Sequence, residues 1–374
     1  LDPRLITTIA PAVAKAAMDS GVAKNPIKDW AAYELELQER IGIDQRLMSV
    51  VISRAKKDPK KVVFAEADNR KILKAAQIIR DEKIANPILL GNRAKILTLI
   101  EENSLDLQNV TIIDPLEESE KLSQFADILY KKRQRKGMTL ADASRLVTQR
   151  NYFGAMMVET GLADAFISGL TRDYPKTILP SLHTIGVKDK TKRVAGMYIM
   201  NTDKGPYFFA DATVNLNPTA EELVEIIGLT ADAVRFFNIE PRVAVLSYSN
   251  FGSAKGEIAE KMAKATAMAK QRFPGLIIEG EMQANVALNE EIQRDVYPFS
   301  QLINKKANTL IFPDLGSGNI AYKLLAELGN AEAIGPILLG MNKPVHILQL
   351  GSSIREIVNM VAIAVVDAQI AGRP

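Results

Sequence analysis

Residues 312–358 read FPDLGSGNIAYKLLAELGNAEAIGPILLGMNKPVHILQLGSSIREIV. The apolar run Thr309–Phe312 that leads in reads as a strand. The polar stretch with Gly316 and Gly318 reads as a turn, from which a helix starts near Asn319. A second strand, Pro344–Leu348, gives way to Gln349-Leu350-Gly351 and to a second helix near Ser352. Strand, turn and helix start, in that order, leave backbone N–H groups facing whatever anion arrives. Two such places in one region predict a ligand cleft framed by both.

The rest of the chain is compatible with that frame. Its 374 residues suit two or three domains. It is 47% hydrophobic with no low-complexity run, which is ordinary for a globular protein. The 47 basic and 44 acidic residues leave a net charge of +3, too little to imply nucleic acid or a membrane as partner. Cysteine is absent, which excludes disulfides, thiolate nucleophiles and Cys-based metal sites and fits a cytoplasmic location. No signal peptide is found, and no apolar run reaches the ~18 residues of a bilayer span. The apolar-rich stretch Ile354–Ile370 is interrupted by Arg355, Glu356, Asn359, Asp367 and Gln369 and reads as a packed helix. Leu1 in place of Met suggests a piece of a longer chain.

Residues 1–42 contain two helix-like segments, Pro11–Asp19 and Trp30–Arg40, the second capped by Asp29, and no strand. From Ile43 the pattern changes. Lys61–Ala65 is β-rich, Asn69–Glu82 carries Ile72, Leu73, Ala76 and Ile79 at helical spacing, and Pro87–Leu90 is a second strand. That is a βαβ unit, hence a parallel sheet with helices outside. Val110–Ile113 and Ala163–Ile167 add strands, with helices Ser119–Lys132 and Thr139–Gln149 between them; Thr139 and Asp142 form a candidate capping box. Arg193–Met200 and Tyr207–Ala210 read as a hairpin around Lys204-Gly205-Pro206. Pro218-Thr219 starts a helix Ala220–Phe237, and Lys255–Arg272 is an amphipathic helix. Leu276–Ile278 is a strand, after which Gly280 to Gln283 and Asn285 read as a polar turn facing the cleft.

Several residues have two readings. The basic run Lys131, Lys132, Arg133, Arg135 and Lys136 is a solvated helix end or an anion clamp. Ser168-Gly169 follows a strand, a familiar place for a ligand turn. Ser249 and Asn250 lie between a strand and a helix and act as ligand contacts or as a cap. His183 and His346 have no partners at metal-ligand spacing, so no metal site is expected; His346 is a hydrogen-bonded core histidine or touches a ligand. No carboxylate pair is placed for acid–base work. The Gly316-Ser317-Gly318-Asn319 stretch is neither a P-loop nor a dinucleotide fingerprint.

Whole strings say more. FPDLGSGNIAYK, IGPILLG and KPV, together with ADATVNLNPTAEELVEI and RVAVLSYSNFGS, resemble phosphate acetyltransferases, which move acetyl between phosphate and CoA. The resemblance covers about residues 43–374. It implies an α/β protein of two three-layer α/β/α lobes, with mainly parallel sheets and an interlobe cleft, as in the isocitrate dehydrogenase-like fold. One lobe would hold 43–187 plus 345–374, the other 188–344. In the family a Tyr-x-x-Arg-x-x-Lys-Gly setting supplies a substrate-binding Arg, and Arg133 falls on it, with Arg135 a second candidate. A further Arg precedes Pro in the family, where this chain has Leu179 before Pro180. The family's catalytic Ser and Arg fall on Gln349 and Leu350, and its catalytic Asp on Glu356. The binding framework is present and the reactive groups are replaced.

Residues 1–42, with DPRL, IAPAVAKAAMDSGVA and the PI-D-W-AY pattern, resemble the end of the dinucleotide-binding domain of bacterial malic enzymes. The ending KPVHIL…IREIVNMVAIAVVDAQ is similar to the C-terminal region of long NADP-dependent ones. The combined resemblance implies a catalytically degenerate domain that binds acetyl-CoA as allosteric effector of malate oxidative decarboxylation. Arg133, Arg135, Ser168, Ser249, Asn250, Asn319, Lys323, His346 and Gln349 are the candidate effector contacts. No cofactor is expected in this segment; NADP and a divalent metal, Mg or Mn, belong to the upstream domains, which are implied partners. A homo-oligomer is implied too, with the helix Ile354–Ala371 as its surface. An active phosphate acetyltransferase or butyryltransferase, and a purely architectural oligomerisation module, are the alternatives.

Overall fold

The structure, a computed structural model, describes residues 4–30, 32, 33, 37, 43–188, 193–329 and 331–371. Helix α1 (Arg4–Asp19) opens the chain. The expected helix Trp30–Arg40 lies largely outside the described residues; Asp29 accepts from Ala32 N–H at 3.0 Å, as a cap does.

Helix α2 (Ile43–Ala55) leads to β1 (Lys60–Phe64), α3 (Arg70–Asp81), β2 (Ala85–Leu90), α4 (Arg93–Glu102) and β3 (Thr111–Ile113). Asn69 caps α3 through Lys71 N–H at 2.8 Å, and the helix buries Ile72, Leu73, Ala76 and Ile79, the residues its spacing singles out. Helices α5 (Ser119–Arg133), α6 (Leu140–Val147) and α7 (Arg150–Glu159) lead to β4 (Ala165–Ser168), then α8 (Tyr174–Thr184). Thr139 and Asp142 do form the capping box that starts α6. Helices α2, α4, α7 and α8 are additions to the sequence reading.

The chain then builds a second sheet. Strands β5 (Ala195–Thr202) and β6 (Gly205–Ala210) form the expected antiparallel hairpin. Helix α9 (Ala220–Phe236), started by a Thr219–Glu222 capping box, precedes β7 (Arg242–Leu246). Next come α10 (Glu257–Arg272), β8 (Ile277–Met282), α11 (Ala284–Leu288), α12 (Glu290–Val296), β9 (Thr309–Ile311), α13 (Leu315–Leu328) and β10 (Glu332–Leu339). Strand β11 (Val345–Ile347) returns to the first sheet, and α14 (Ile354–Ala371) ends the described chain.

The first sheet is five-stranded and parallel throughout, in the order β11-β4-β1-β2-β3. The second has the order β10-β5-β6-β9-β7-β8, parallel from β6 to β8 and antiparallel at the β10-β5-β6 side. Parallel strands need crossovers, and helices supply them. Strand β10 was not anticipated as a strand. Gly335 and Pro336 interrupt its alternation, and its register shifts between Ile334 and Ile337.

Three expectations are corrected. The Gly316-Ser317-Gly318 segment is not a turn but the first turn of α13, whose start lies at Leu315 behind the Asp314 cap. Gly280, Glu281 and Met282 belong to β8 rather than to a polar turn. Helix α14 is not a free surface: Ile357 to Val366 are all buried, and all but Asn359 join one apolar cluster that also holds Val62 and Ile167 of the first sheet and Met197 and Ile199 of the second. The helix packs on both sheets, so its apolar sides are used up inside one protomer. Among the described residues no helix is long and apolar enough to cross a membrane.

Candidate functional site

The C-terminal ends of parallel strands are where α/β folds take ligands. Here the loops at those ends are held from inside by buried carboxylates. Glu66, just after β1, is 3% exposed and accepts from Gly169 N–H (2.8 Å), Leu170 N–H (2.7 Å) and Thr171 N–H (3.0 Å) in the turn after β4. Asp211, after β6, accepts from the N–H groups of Gly196 (3.1 Å), Thr213 (2.8 Å), Val214 (3.0 Å) and Asn215 (2.9 Å). Glu281 on β8 accepts from Ser249 Oγ (2.9 Å) and Gly252 N–H (2.6 Å) after β7. A buried carboxylate is tolerated only when donors surround it. Each therefore fixes the shape of a loop that borders the cleft.

These bonds decide the standing of several candidates. Ser168 is buried and donates to Asn151 Oδ1 at 2.9 Å. Ser249 is buried and held by Glu281 and by Ala254 N–H at 3.1 Å. Asn250 accepts from Gln283 N–H at 2.8 Å and is half-buried. Asn319 reaches the Ala212 carbonyl at 3.4 Å across the start of α13. Gly318 allows that approach, since a Cβ there would lie 2.7 Å from Asp211 O. All four are parts of the loop scaffold.

His346 is 1% exposed, on β11 inside the protein, and accepts from Leu338 N–H at 3.4 Å. Burial pushes its imidazole down to about 4, so it is neutral. Burial likewise raises the carboxyl of Asp367, whose Oδ2 lies 3.9 Å from His346 Nε2. His346 thus sits in the core as a hydrogen-bonded side chain.

The second lobe presents to the Gln349 turn an aromatic pair that the sequence reading did not single out. Tyr198 of β5 stacks on Tyr322 of α13, ring centroids 4.0 Å apart. Gln349, in the turn after β11, donates its Nε2 to the Tyr198 hydroxyl at 2.6 Å. The phenol is raised far above its usual range by burial and then by Tyr322 beside it. Thr213 opposes that shift from close by, yet its Oγ1 makes no well-formed hydrogen bond. Tyr174, at the start of α8, brings a further buried hydroxyl, raised by burial and by the Asp211 charge. The turn carrying Gln349 is anchored from the other side: Lys71 Nζ donates to the carbonyls of Gly351 and Ser352, both at 2.9 Å. Leu350 beside it is 64% exposed, and Leu179 on α8 is 47% exposed. Glu356 accepts from Ser353 N–H at 2.6 Å, and its own N–H donates to Ser353 Oγ at 3.2 Å, so it caps α14.

Arg133 ends α5 half-buried, and its Nε has no hydrogen-bond partner among the described residues. Tyr152 and His183 lie near it, joined at 2.8 Å through the phenol and Nδ1. His183 is lowered by burial and then by the Arg133 and Lys136 charges, which keeps it neutral. Leu179 is one helical turn before His183 and so on the same face of α8. Arg135 is exposed. Lys323 is exposed on α13, its Nζ 5.9 Å from the Tyr322 ring centre. The set is one half-buried cation without a carboxylate partner among the described residues, an amide bound to a phenol, and two leucines open to solvent.

The sequence profile described as Phosphate acetyl/butaryl transferase matches residues 46–365. The chain belongs to that family. It is 39% identical over 326 residues to the phosphate acetyltransferase of Acetivibrio thermocellus, covering 85% of this chain and 97% of that one. The NADP-dependent malic enzyme of Haemophilus influenzae is 41% identical over 372 residues, covering 98% of this chain. The alignment takes in 49% of that protein, so the chain spans about half the length of the malic enzymes it matches. Among solved structures, the EutD phosphotransacetylase from Staphylococcus aureus superposes with a TM-score of 0.79 at 31% identity, over 87% of this chain and 98% of that one. The family's mainly parallel two-sheet α/β fold is therefore present here. What sequence reading missed, Tyr198 and Tyr322, reads as core in a strand and a helix; only the pairing of α13 with β5 brings them together.

Proposed function

We propose that this chain is a phosphate-acetyltransferase-like domain that binds acetyl-CoA between its lobes and does not transfer the acetyl group. The observation that carries this reading is the Gln349–Tyr198 hydrogen bond. Position 349 matches the family's reactive serine. Here an amide stands there, already donating to a buried phenol and so not free to act on a thioester. Leu350 and Leu179 stand where the family has cations and give a phosphate dianion nothing to pair with. Each charge-assisted hydrogen bond lost in this way costs ~1.5–3 kcal/mol, and a missing oxyanion donor costs ~10²–10³ in rate. Glu356 is committed to a helix cap. Among the described residues Arg133 has no carboxylate partner, which suits a phosphate group of CoA.

The malic-enzyme likeness over nearly the whole chain supports a regulatory role. In this reading acetyl-CoA is the effector, and malate oxidation with NADP and Mg or Mn takes place in an upstream part of a longer polypeptide. Such coupling requires acetyl-CoA to bind two states of the whole protein unequally.

Calorimetry with acetyl-CoA, run beside an assay for acetyl phosphate formation, tests the reading. Binding heat without turnover is expected, and Arg133→Ala should weaken binding about 10- to 100-fold through the lost charge-assisted bonds. Brisk turnover would favour an active phosphate acetyltransferase, a reading supported by the retained Arg133 and the full-length match to such enzymes. Absence of binding would leave a purely architectural module.

A further inference from the structure

We propose that His183 supplies the second cation of this site, taking up a proton only while a phosphate group is held against Arg133. The inference rests on the reading of the cleft as a site for acetyl-CoA, whose phosphates need cations. Arg133 is half-buried, and its Nε finds no acceptor among the described residues. A buried donor left in that state is costly, so the position suits an anion. One guanidinium does not neutralise a phosphate dianion, and Leu179 adds nothing. His183 stands one turn beyond Leu179 on the same face of α8. Helix α5, which ends in Arg133, packs on α8, and the Arg133 charge acts on the half-buried His183 ring. Tyr152 of α7 holds that ring through Nδ1 at 2.8 Å. Among the described residues Nε2 has no partner.

The groups around His183 leave it ready to charge. Helix α5 and the turn after it bring Lys132, Arg133 and Lys136, α7 brings Tyr152 and Glu159, and β11 brings the neutral His346. Glu159 pairs with Lys132, and no carboxylate among the described residues pairs with His183. Burial first, then the Arg133 and Lys136 charges, lower His183 and keep it neutral in the empty site. A phosphate on Arg133 offsets the repelling charge and adds an attracting one, which favours the imidazolium. The proton comes from solvent. With both ring nitrogens protonated, Nδ1 donates to the Tyr152 oxygen and Nε2 donates to a phosphate oxygen. The Tyr152 hydroxyl hydrogen is then released to meet a second phosphate oxygen. Binding thus takes up protons, so affinity rises as pH falls through the titration of the bound site. The rise ends once the free imidazole also takes its proton, below its ordinary value of 6.5.

Proton counting tests this. Calorimetry with acetyl-CoA in two buffers of different ionisation enthalpy should show uptake of up to one proton, with binding about 3- to 10-fold tighter at pH 7.0 than at pH 8.5. The chain has two histidines, and His346 is in the core, so the imidazole resonances can be told apart; that of His183 should titrate at higher pH once ligand is bound. His183→Gln can still bond to Tyr152. It should bind about tenfold more weakly at pH 7.0, with the loss shrinking toward pH 8.5 and the uptake gone, which a merely structural role would not produce. Binding of acetyl-CoA without proton uptake, or a wild-type pH dependence in His183→Gln, would overturn the proposal while leaving the reading of the cleft intact. If acetyl-CoA gives no heat, that reading falls and inorganic phosphate decides the matter alone. A His183 resonance that phosphate moves, and that Arg133→Ala silences, supports the cation pair; an unmoved resonance overturns it.

Discussion

Glu66 commits both carboxylate oxygens to the turn after β4, taking three backbone N–H groups and the Thr171 hydroxyl. Without it, three amide groups in a largely buried turn would have no acceptor, at ~1–3 kcal/mol for each one left unpaired. Glu66→Ala should therefore lower stability by about 3–5 kcal/mol, since water can enter to relieve part of the loss. Glu66→Gln should cost less, about 2 kcal/mol, because one oxygen still accepts while the new NH₂ faces donors. Urea unfolding of the two variants checks the size and the order. The same chemistry explains why Ser168 and Ser249 were ambiguous in the sequence. A small hydroxyl after a strand suits a ligand or a neighbouring side chain equally, and the acceptors that claim these two, Asn151 and Glu281, lie 17 and 32 residues away. Arg133 was found through a local string, Tyr-x-x-Arg-x-x-Lys-Gly, and the absence of a bonding partner at its Nε depends on tertiary packing that no string encodes.

Elements with local signals were legible. The α3 stripe, the Thr139–Asp142 capping box, the Pro218-Thr219 start of α9 and the β5–β6 hairpin all carry their evidence within a few residues. Helix α7 was not legible because Asn151 to Val158 are buried on every side, so no polar face marks a period. Helix α13 was misread at its start for a different reason. Two glycines in three residues suggest a turn, yet Asp314 accepts from Ser317 N–H at 2.8 Å and begins the helix ahead of them. The two glycines differ in what surrounds them. A Cβ at 318 would meet the backbone oxygen of Asp211 at 2.7 Å, whereas a Cβ at 316 would meet only the Asp314 side chain at 3.2 Å. Alanine gains up to ~1 kcal/mol over glycine inside a helix. Overpacking against fixed backbone costs ~1–3 kcal/mol, which outweighs that gain. Gly318→Ala should thus lower the melting temperature, while Gly316→Ala should leave it unchanged or raise it slightly. Reversal of that order in thermal unfolding would mean that α13 does not rest on the Asp211 turn.

At the scale of the molecule the two lobes share one apolar cluster around α14, and across the cleft they are tied by the Gln349–Tyr198 bond. The cluster makes the pair of sheets a single packed body; the polar tie sets how the cleft edge is held. Tyr198→Phe keeps the stack on Tyr322 and removes only the acceptor. Gln349 is half-buried and can turn to water, so the loss should be about 1 kcal/mol, near the net worth of one hydrogen bond. Gln349→Ala should cost about the same, and the two together little more than either, a coupling energy of about 1 kcal/mol in a double-mutant cycle. Hydrogen exchange supplies the local reading. Amides of 349–353 should exchange faster in each variant, although Lys71 still holds the Gly351 and Ser352 carbonyls, while those of β5 stay protected by their two strand neighbours. Additive energies with unchanged exchange would mean that Gln349 is not tied down. Its amide would then be free to meet an incoming thioester, and the separation of binding from transfer would have to rest on Leu179 and Leu350 alone.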